Sequence, residues 1–299
     1  MRFVVTQAPS ATSLWTSRIA LFSPVLVATA AFLHRLFGMP TPVAFNLVKL
    51  AYATAAAALI LGLIAAAGIW RNGGAGTARV VVGVLTSLII LAAPLVMLPL
   101  IREHPPINDL TTDVHSPPEF GALARVRGPE ANPAAYPGER FAKEQAHAYP
   151  DLKPMNLDRS RDEAFALAVE AVRRLRMDIV REEAPGDGPN ETGMIEAVDR
   201  TLIAGFYDDV AIRVAGDDKN ARVDIRSASR YGSFDLGRNA ERMRALMREI
   251  LARLDATVPT ADDKRATKPS TEEPNSLTKR GKVGRLKSAV PRKPRDRAR

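Results

Sequence analysis

Six polar residues that lie close together in the sequence carry groups that bind anions. They are Arg226, Ser227, Ser229, Arg230, Asn239 and Arg242. A guanidinium group donates paired hydrogen bonds to phosphate or carboxylate, and hydroxyls, amides and the free N–H groups of a helix start add further donors. If these side chains converge at the start of the last helix, they form a binding site for a phosphate, a carboxylate or a lipid headgroup.

Charged residues in the same region offer a structural alternative. They are Asp208, Asp209, Arg213, Asp224 and Asp235. Networks of internal ion pairs resemble ligand sites in sequence, because both bring opposite charges together. In this interpretation Arg226 and Arg230 pair with aspartates of the chain and fix a strand to a helix. The residues alone leave both interpretations open.

Two adjacent carboxylates, Asp208 and Asp209, are the residues that could support acid–base catalysis. A turn in which they cap the backbone is the competing interpretation. Ser227 and Ser229 have no G-x-S-x-G motif and no histidine nearby in sequence, which argues against a serine nucleophile. We therefore expect a non-enzymatic protein, with a hydrolase or transferase that uses Asp208, Asp209 and the arginines as the alternative.

The composition excludes several kinds of site. The chain has no cysteine, so disulfides, thiolate metal sites and cysteine nucleophiles are ruled out. The histidines lie outside the predicted strands and helices of the soluble domain and match no metal-ligand spacing: His34, His104, His115 and His147. The sequence contains neither a P-loop nor a G-x-G-x-x-G motif. It thus indicates no cofactor and no metal.

The elements that position these residues follow from hydrophobic spacing and turn chemistry. Ser160 and Glu163 form a capping box before a helix, and an apolar stripe predicts another helix over residues 236–254. Four strand-like runs lie between them: residues 177–182, 194–203, 207–214 and 222–229. The intervening turns are too short for crossover helices, so neighbouring strands should pair antiparallel. The predicted fold is α+β, a two-layer domain with an antiparallel sheet of about four strands and both helices on one face.

Alternation along the last two strands restricts their register. Each strand alternates apolar with charged residues, so each has an apolar face and a charged face. Matching the faces allows a register in which Arg213 lies across from Asp224. We predict an ion pair between these two side chains.

A longer stretch around the six polar residues resembles a known family. It comprises Asp224-Ile225-Arg226-Ser227-Ala228-Ser229-Arg230, then Gly232, Asp235, Gly237, Asn239 and Arg242. Earlier landmarks are Asn108-Asp109 with Thr111-Thr112, Tyr149-Pro150-Asp151 and Phe206-Tyr207-Asp208-Asp209. This pattern, over residues 107–256, resembles the bacterial family called domain of unknown function 1499. The resemblance implies an envelope-associated domain, often preceded by membrane helices, with no established activity.

Three apolar runs before residue 104 predict membrane helices over residues 19–37, 50–70 and 80–101. The second and third contain uncharged stretches of 20 and 22 residues. At about 1.5 Å per residue, each is long enough for a hydrocarbon layer about 30 Å thick. The first run has only 15 uncharged residues and contains Pro24, so a cleaved signal peptide is its alternative.

The sequence therefore divides into four segments. Residues 1–103 form the membrane segment, 104–154 a proline-rich extended connector, 155–258 the soluble α+β domain and 259–299 a basic tail. The connector is either a flexible stalk or a chain that lies along the domain, and its aromatic residues favour partial order. The tail has few apolar residues and no aromatic residue, a composition typical of disorder.

Charge is concentrated at the two ends of the chain. Of the formal net charge of +9, residues 1–101 carry +6, residues 102–259 carry −5 and residues 260–299 carry +8, which excludes a uniformly basic nucleic-acid domain. The Lys/Arg bias around the apolar runs favours an inside N-terminus and an outside soluble domain. We expect a multi-pass protein of the bacterial inner membrane with a periplasmic or extracellular domain.

These features predict a membrane-anchored cell-envelope protein. Its domain would be a binding or structural module for an anionic ligand, a lipid or a partner protein. Its tail would contact anionic lipid or a wall polymer. The alternative is a cytoplasm-facing domain whose tail binds nucleic acid. The sequence leaves the oligomeric state undefined.

Overall fold

The computed structural model describes residues 10–188, 191–201 and 205–257. The basic tail predicted over residues 259–299 lies outside the described residues. So do positions 202 and 203, at the end of one predicted strand.

Three helices long and apolar enough to cross a membrane precede the soluble domain. They are α1 (Ala11–Phe37), α2 (Thr41–Asn72) and a third span (Thr77–Glu103). The first two begin before the predicted apolar runs, because each has a helix-starting residue upstream. The Ser10 side chain caps α1 by accepting from the Ser13 N–H, and a proline occupies the first turn of α2.

The third span is not a continuous α-helix. It comprises α3 (Thr77–Ala92), a 3-10 turn (Ala93–Met97) and α4 (Leu98–Glu103). Pro94 and Pro99 lie at the starts of the last two pieces. Proline has no N–H to continue the α-helical hydrogen-bond pattern, which accounts for the interruption.

Small residues allow the three helices to pack closely. The buried positions on α2 are almost all alanine or glycine, and those on α1 and α3 include several serines and glycine or alanine residues. Ser23 of α1 and Thr54 of α2 are joined by a hydrogen bond of 2.9 Å between their hydroxyl oxygens. Such contacts are typical of helix packing in lipid, where small side chains let backbones approach.

The soluble domain is α+β, built on an antiparallel sheet. Its strands are β1 (Asp109–Thr111), β2 (Met155–Leu157), β3 (Asp178–Glu183), β4 (Gly193–Arg200), β5 (Tyr207–Gly216) and β6 (Ala221–Ser229). The order across the sheet is β1-β6-β5-β4-β3, and β2 also pairs with β6. The sheet thus has six strands rather than about four. The two additional strands are three residues long, too short to show a period in the sequence.

Residues 104–154 lie against the sheet and contain short elements. These are β1, α5 (Ala122–Val126) and α6 (Glu139–Ala148). Phe120 and Leu123 pack on Val198, Ala211 and Ala228, which belong to one face of the sheet. The proline-rich segment therefore covers that face, which we call the connector face.

Two long helices cover the other face, which we call the helix face. They are α7 (Arg161–Arg174) and α8 (Arg238–Thr257). Apolar side chains from alternate positions of β4, β5 and β6 meet both helices in the main core, including Ile195, Ile212 and Ile225. Ser160 caps α7 by accepting from the Glu163 N–H, as the capping box predicts.

The membrane helices and the domain meet at one end of the sheet. Arg200, the last residue of β4, donates from Nη2 to the backbone oxygen of His34 at 2.8 Å. The ring of Phe45 in α2 has its centroid 5.5 Å from that of Phe206 and 6.3 Å from that of Tyr231. These contacts fix the end of the sheet where β4 ends, β5 begins and β6 ends.

Candidate functional site

The sheet divides the six polar residues predicted to hold an anion. Successive residues of a strand point to opposite faces. Ser227 and Ser229 therefore lie on the helix face, where they contact Asn239 and Arg242, whereas Arg226 and Arg230 lie on the connector face. The prediction that all six converge at the start of the last helix was wrong for this reason. Two separate networks take its place.

On the connector face, Arg226 is 1% exposed and bonds to groups of the chain itself. Its Nε and Nη2 lie 3.0 and 2.7 Å from the two carboxylate oxygens of Asp109. Nη1 donates to the carbonyl of Pro118 at 3.1 Å, and Nη2 also donates to that of Ala134 at 2.8 Å. Burial raises the pKa of Asp109, although the hydrogen bond and charge of Arg226 oppose the shift.

Asp209 forms the second ion-pair cluster of the connector face. Its Oδ2 lies 2.8 Å from Nε of Arg127, and its Oδ1 lies 2.7 Å from Nη2 of Arg230. The carboxylate is fully buried. Arg127 comes from the segment that covers this face, so the cluster joins that segment to the sheet.

On the helix face, Ser227, Asn239 and Arg242 do come together. The Ser227 hydroxyl oxygen and the Asn239 Oδ1 are 2.8 Å apart, and Nη1 of Arg242 donates to both at 3.0 and 2.7 Å. The Asn239 amide nitrogen donates to Ser229 Oγ at 3.2 Å and to the carbonyl of Asn108 at 3.0 Å. These polar groups therefore satisfy one another.

Two carboxylates complete this network around Arg242. Its Nη2 lies 2.5 Å from Oδ2 of Asp208, and its Nε lies 2.7 Å from Oδ2 of Asp199. Burial by itself lowers the pKa of a guanidinium, but the charges of Asp208 and Asp199 hold the pKa of Arg242 above its ordinary value. Arg242 is thus a buried cation whose charge is neutralised within the domain.

The adjacent carboxylates Asp208 and Asp209 point to opposite faces of the sheet. Asp208 bonds to Arg242 on the helix face, and Asp209 bonds to Arg127 and Arg230 on the connector face. Paired carboxylates for acid–base catalysis must face one substrate. These two do not, so the geometry provides no support for the catalytic interpretation.

The remaining predicted charges have partners as well. Arg213 lies across from Asp224 in the β5–β6 register, and its Nη2 is 2.9 Å from Asp224 Oδ2. Asp113 lies 3.4 Å from the same Arg213 nitrogen and 2.8 Å from Nη2 of Arg222. Burial of Asp113 is outweighed by N–H groups and arginines, so its pKa lies below the ordinary value.

Asp235 caps α8 rather than pairing with an arginine. Its two carboxylate oxygens accept from the N–H groups of Gly237 at 2.9 Å and Asn239 at 3.1 Å. Burial raises the pKa of Asp235, with the two N–H groups acting in the opposite direction. A left-handed turn lies between the cap and the helix, since Leu236 and Gly237 both have positive φ.

A basic groove of about 490 Å³ lies beside the first half of α8. Arg238 and Arg248 are exposed on its wall, and neither forms an ion pair with any residue that the structure describes. Arg244, also on the wall, pairs with Asp151 at 2.6 Å. Glu241 is the acidic wall residue that has no arginine partner within the described ranges.

A second cleft, of about 500 Å³, opens on the connector face. Arg226 lies in its lining with its guanidinium carbon 4.4 Å from the Phe120 ring centroid and 5.6 Å from that of Tyr136. Burial raises the pKa of Tyr136 to about 12, so the phenol keeps its proton at neutral pH. Because the N–H donors of Arg226 already bond to Asp109 and to carbonyl oxygens, this cleft is less suited to binding an anion than the groove beside α8 is.

Acidic and histidine side chains are the strong metal ligands that this cysteine-free chain offers. Over residues 10–188, 191–201 and 205–257, no group of three or more His, Cys, Asp or Glu side chains is placed to hold a metal ion. His34 is buried and bonds to the hydroxyl of Thr41, and His104 lies 3.2 Å from the hydroxyl of Tyr149.

Comparison with known families assigns the soluble domain. Residues 109–250 match the family described as protein of unknown function (DUF1499). We refer to the matched residues as the DUF1499 domain. The match confirms the resemblance seen in the sequence, and no curated protein matches the chain. Both networks, from Asp109 to Arg242, lie inside the matched region, and the three apolar helices precede it.

One charged centre of the DUF1499 domain was not predicted from the sequence. Glu196 in β4 is fully buried, and its carboxylate accepts from the N–H groups of Gly121, Ala122 and Leu123 at 3.1, 3.0 and 2.8 Å. Arg181 lies 3.1 Å from the same group. A glutamate within an apolar strand was the signal available, since such a residue needs partners when it is buried.

Asp109, Asp199 and Arg127 were also absent from the predicted site. Asp109 is 117 positions from Arg226, and Arg127 is 82 positions from Asp209. Long-range partners of this kind leave no spacing pattern in one sequence. In the DUF1499 domain they convert the expected anion site into two internal networks. Two arginines that form no ion pair within the described ranges, Arg238 and Arg248, lie on α8 instead.

Proposed function

We propose that this chain is a membrane-anchored, non-enzymatic module that binds an anionic ligand in the groove beside α8. The ligand carries a phosphate or a carboxylate, because arginine forks recognise both. Three apolar helices support the anchoring, and the paired state of Asp208 and Asp209 supports a role without acid–base catalysis.

One observation carries the proposal. Arg238 and Arg248 line the groove without an ion-pair partner among the described residues, whereas the buried Arg226 and Arg242 are neutralised by aspartates. Unpaired guanidinium groups beside a concave surface attract anions, and Glu241 offsets only one of the two charges. The predicted ligand class is therefore kept, but the binding residues differ from the six polar residues first considered.

Binding of inorganic phosphate to the full chain in phosphatidylcholine nanodiscs tests the proposal. We expect the double variant Arg238→Ala/Arg248→Ala to lose at least tenfold in phosphate affinity, measured by calorimetry. The matched control is Arg125→Ala/Arg140→Ala, which removes the same charge from exposed positions outside the groove. No binding by the wild-type chain, or an equal loss in both double variants, would contradict the proposal.

We further propose that the DUF1499 domain lies outside the bacterial inner membrane. Arg2, Arg18, Arg71 and Arg79 flank the spans on one side, and Arg35, Lys49 and Arg102 flank them on the other. The larger number marks the cytoplasmic side under the positive-inside rule. The basic tail would then contact anionic lipid or a wall polymer on the outer surface.

Fusions at the C-terminus test the location. A phosphatase that is active only in the periplasm and a fluorescent protein that is active only in the cytoplasm are attached separately after Arg299. We expect phosphatase activity alone. Fluorescence alone would overturn the outside placement and would make nucleic acid or the inner leaflet the partner of the tail.

A further inference from the structure

The connection between β6 and α8 turns back at the end of the sheet that meets the membrane helices. β6 ends there, because Ser229 pairs with Asp208 at the start of β5. α8 then runs in the reverse direction along β6. Asn239 bonds to Ser229, whereas Arg242, farther along the helix, bonds to Ser227. Residues 230–237 therefore form a turn at this end of the sheet, and residues 232–234 of the turn are exposed.

Both ends of this turn contact residues just beyond the uncharged runs of the membrane helices. Tyr231 has its ring centroid 6.3 Å from that of Phe45 in α2. At the other end, a Cβ added to Gly237 would lie 2.6 Å from Cε1 of His104, which follows α4 directly. The turn thus bridges the ends of the second and third spans.

The depth of these contacts follows from helix geometry. Phe45 precedes the uncharged run that begins at Leu50, and His104 follows the run that ends at Ile101. At 1.5 Å per residue these residues lie about 5–8 Å beyond the ends of the uncharged runs. Headgroups occupy about 5–8 Å on each side of the hydrocarbon. Both ends of the turn therefore lie at headgroup depth.

Phe234 lies in the middle of the turn and is 41% exposed. Its ring forms no aromatic pair with a residue in the described part of the chain, unlike that of Phe206. Because the turn lies at headgroup depth, the exposed ring of Phe234 can leave water by inserting into the lipid. Tryptophan and tyrosine are enriched at this level of membrane proteins, and phenylalanine occurs on the apolar faces of segments that lie in the interface.

We propose that residues 231–237 form a lipid contact, in which Phe234 inserts into the interface of the bilayer that holds the three helices. The contact fixes the orientation of the domain on the membrane at a position outside the helical bundle. It uses no residue of the groove beside α8 and does not depend on anion binding there.

Tryptophan fluorescence tests the depth of the turn. The chain contains two tryptophans, so Phe234→Trp is introduced together with Trp15→Phe and Trp70→Phe. The protein is placed in vesicles of phosphatidylcholine with and without bromine atoms on the acyl chains. We expect blue-shifted emission from position 234 that brominated lipid quenches strongly.

The matched control places tryptophan at the opposite end of the sheet. Lys219 is exposed in the turn between β5 and β6. The ten residues of β5 place it about 30 Å from the membrane-facing end. In the same background, Lys219→Trp should emit as a water-exposed indole and resist quenching by brominated lipid.

A second measurement covers the case in which Phe234→Trp disturbs the turn. The chain has no cysteine, so Ser233→Cys gives a single site for a nitroxide label. We expect the label to be more accessible to oxygen than to a water-soluble nickel complex. A label at position 233 or a tryptophan at position 234 that is as exposed to water as the tryptophan at position 219 would overturn the proposal. So would a blue-shifted tryptophan that brominated lipid leaves unquenched, since protein would then cover the turn.

Discussion

Asp109 and Arg226 form a buried, two-point ion pair between the first and the last strand of the domain. The guanidinium nitrogens lie 3.0 and 2.7 Å from the two carboxylate oxygens, and both side chains are almost fully buried. The same guanidinium also binds the carbonyls of Pro118 and Ala134. One side chain thus holds the proline-rich segment against the sheet.

Arg226→Lys should destabilise the domain although it preserves the charge. An ammonium cannot reproduce the planar fork that reaches two carboxylate oxygens and two carbonyls. The loss of about two such bonds lowers the free energy of unfolding by about 2–3 kcal/mol. Urea denaturation of the detergent-solubilised chain measures this change.

Arg125→Lys is the control for that substitution. Arg125 is exposed on α5 and forms no ion pair with the residues described. Its replacement should leave the denaturation midpoint unchanged. An equal, small effect of both lysine variants would show that the Arg226 fork contributes no more than a surface charge.

Asp224→Ala should also lower stability, because the carboxylate is 1% exposed between two arginines. Arg213 and Arg222 lose bonds of 2.9 and 3.1 Å and keep Asp113 as their one acidic partner within the described part of the chain. We expect a loss of about 2 kcal/mol, more than an exposed pair provides. Asp218→Ala, at an exposed turn position, is the control, and thermal unfolding of the two variants is compared.

The ion pair that follows from the alternation of apolar and charged residues along the strands was predictable from the sequence. Arg213 faces Asp224 because the charged positions of two neighbouring strands have to share a face. The same rule separates Arg226 from Ser227, so a single anion site was already inconsistent with the strand prediction. The error came from reading the residues as a cluster instead of by position along the strand.

Other features depend on contacts between distant parts of the chain. β1 is three residues long and pairs with β6, more than one hundred positions later. Its formation needs Leu110 in the main core and Asp109 on Arg226, neither of which produces a local pattern. Burial against distant residues, and not a local preference for β structure, determines this strand. The local preference of its residues for β structure is weak.

Glu196→Gln should make stability less dependent on pH. Burial raises the pKa of Glu196, but three backbone N–H groups and Arg181 together hold it below the ordinary value of 4.5. A depressed carboxyl pKa stabilises the folded state above the unfolded pKa. That stabilisation is lost as the pH falls through the folded pKa.

The difference between wild type and Glu196→Gln should therefore depend on pH. Above about pH 6 the variant should be less stable by about 2 kcal/mol, because an amide N–H cannot accept from the Leu123 N–H. The difference should shrink below pH 4.5, the ordinary glutamate value. Glu130→Gln, at an exposed position, is the control, and a pH-independent difference would show that charge is not the cause.

Gly83→Ala should weaken the helical bundle. A Cβ at this position would lie 2.6 Å from Cγ2 of Thr16 and 3.1 Å from its carbonyl carbon and oxygen. The threonine side chain is stiff in a helix, and the backbone behind it cannot give way without moving α1. Overpacking of this kind costs about 1–3 kcal/mol.

Gly68→Ala provides a control of the opposite sign. A Cβ at Gly68 meets no atom of the described residues within 4 Å beyond its chain neighbours and the adjacent backbone of its own helix, so the substitution should add only the helix propensity of alanine. In thermal unfolding of the solubilised chain, followed through Trp15 and Trp70, Gly68→Ala should raise the Tm and Gly83→Ala should lower it. A rise in both variants would mean that α1 and α3 do not approach each other at Thr16 and Gly83.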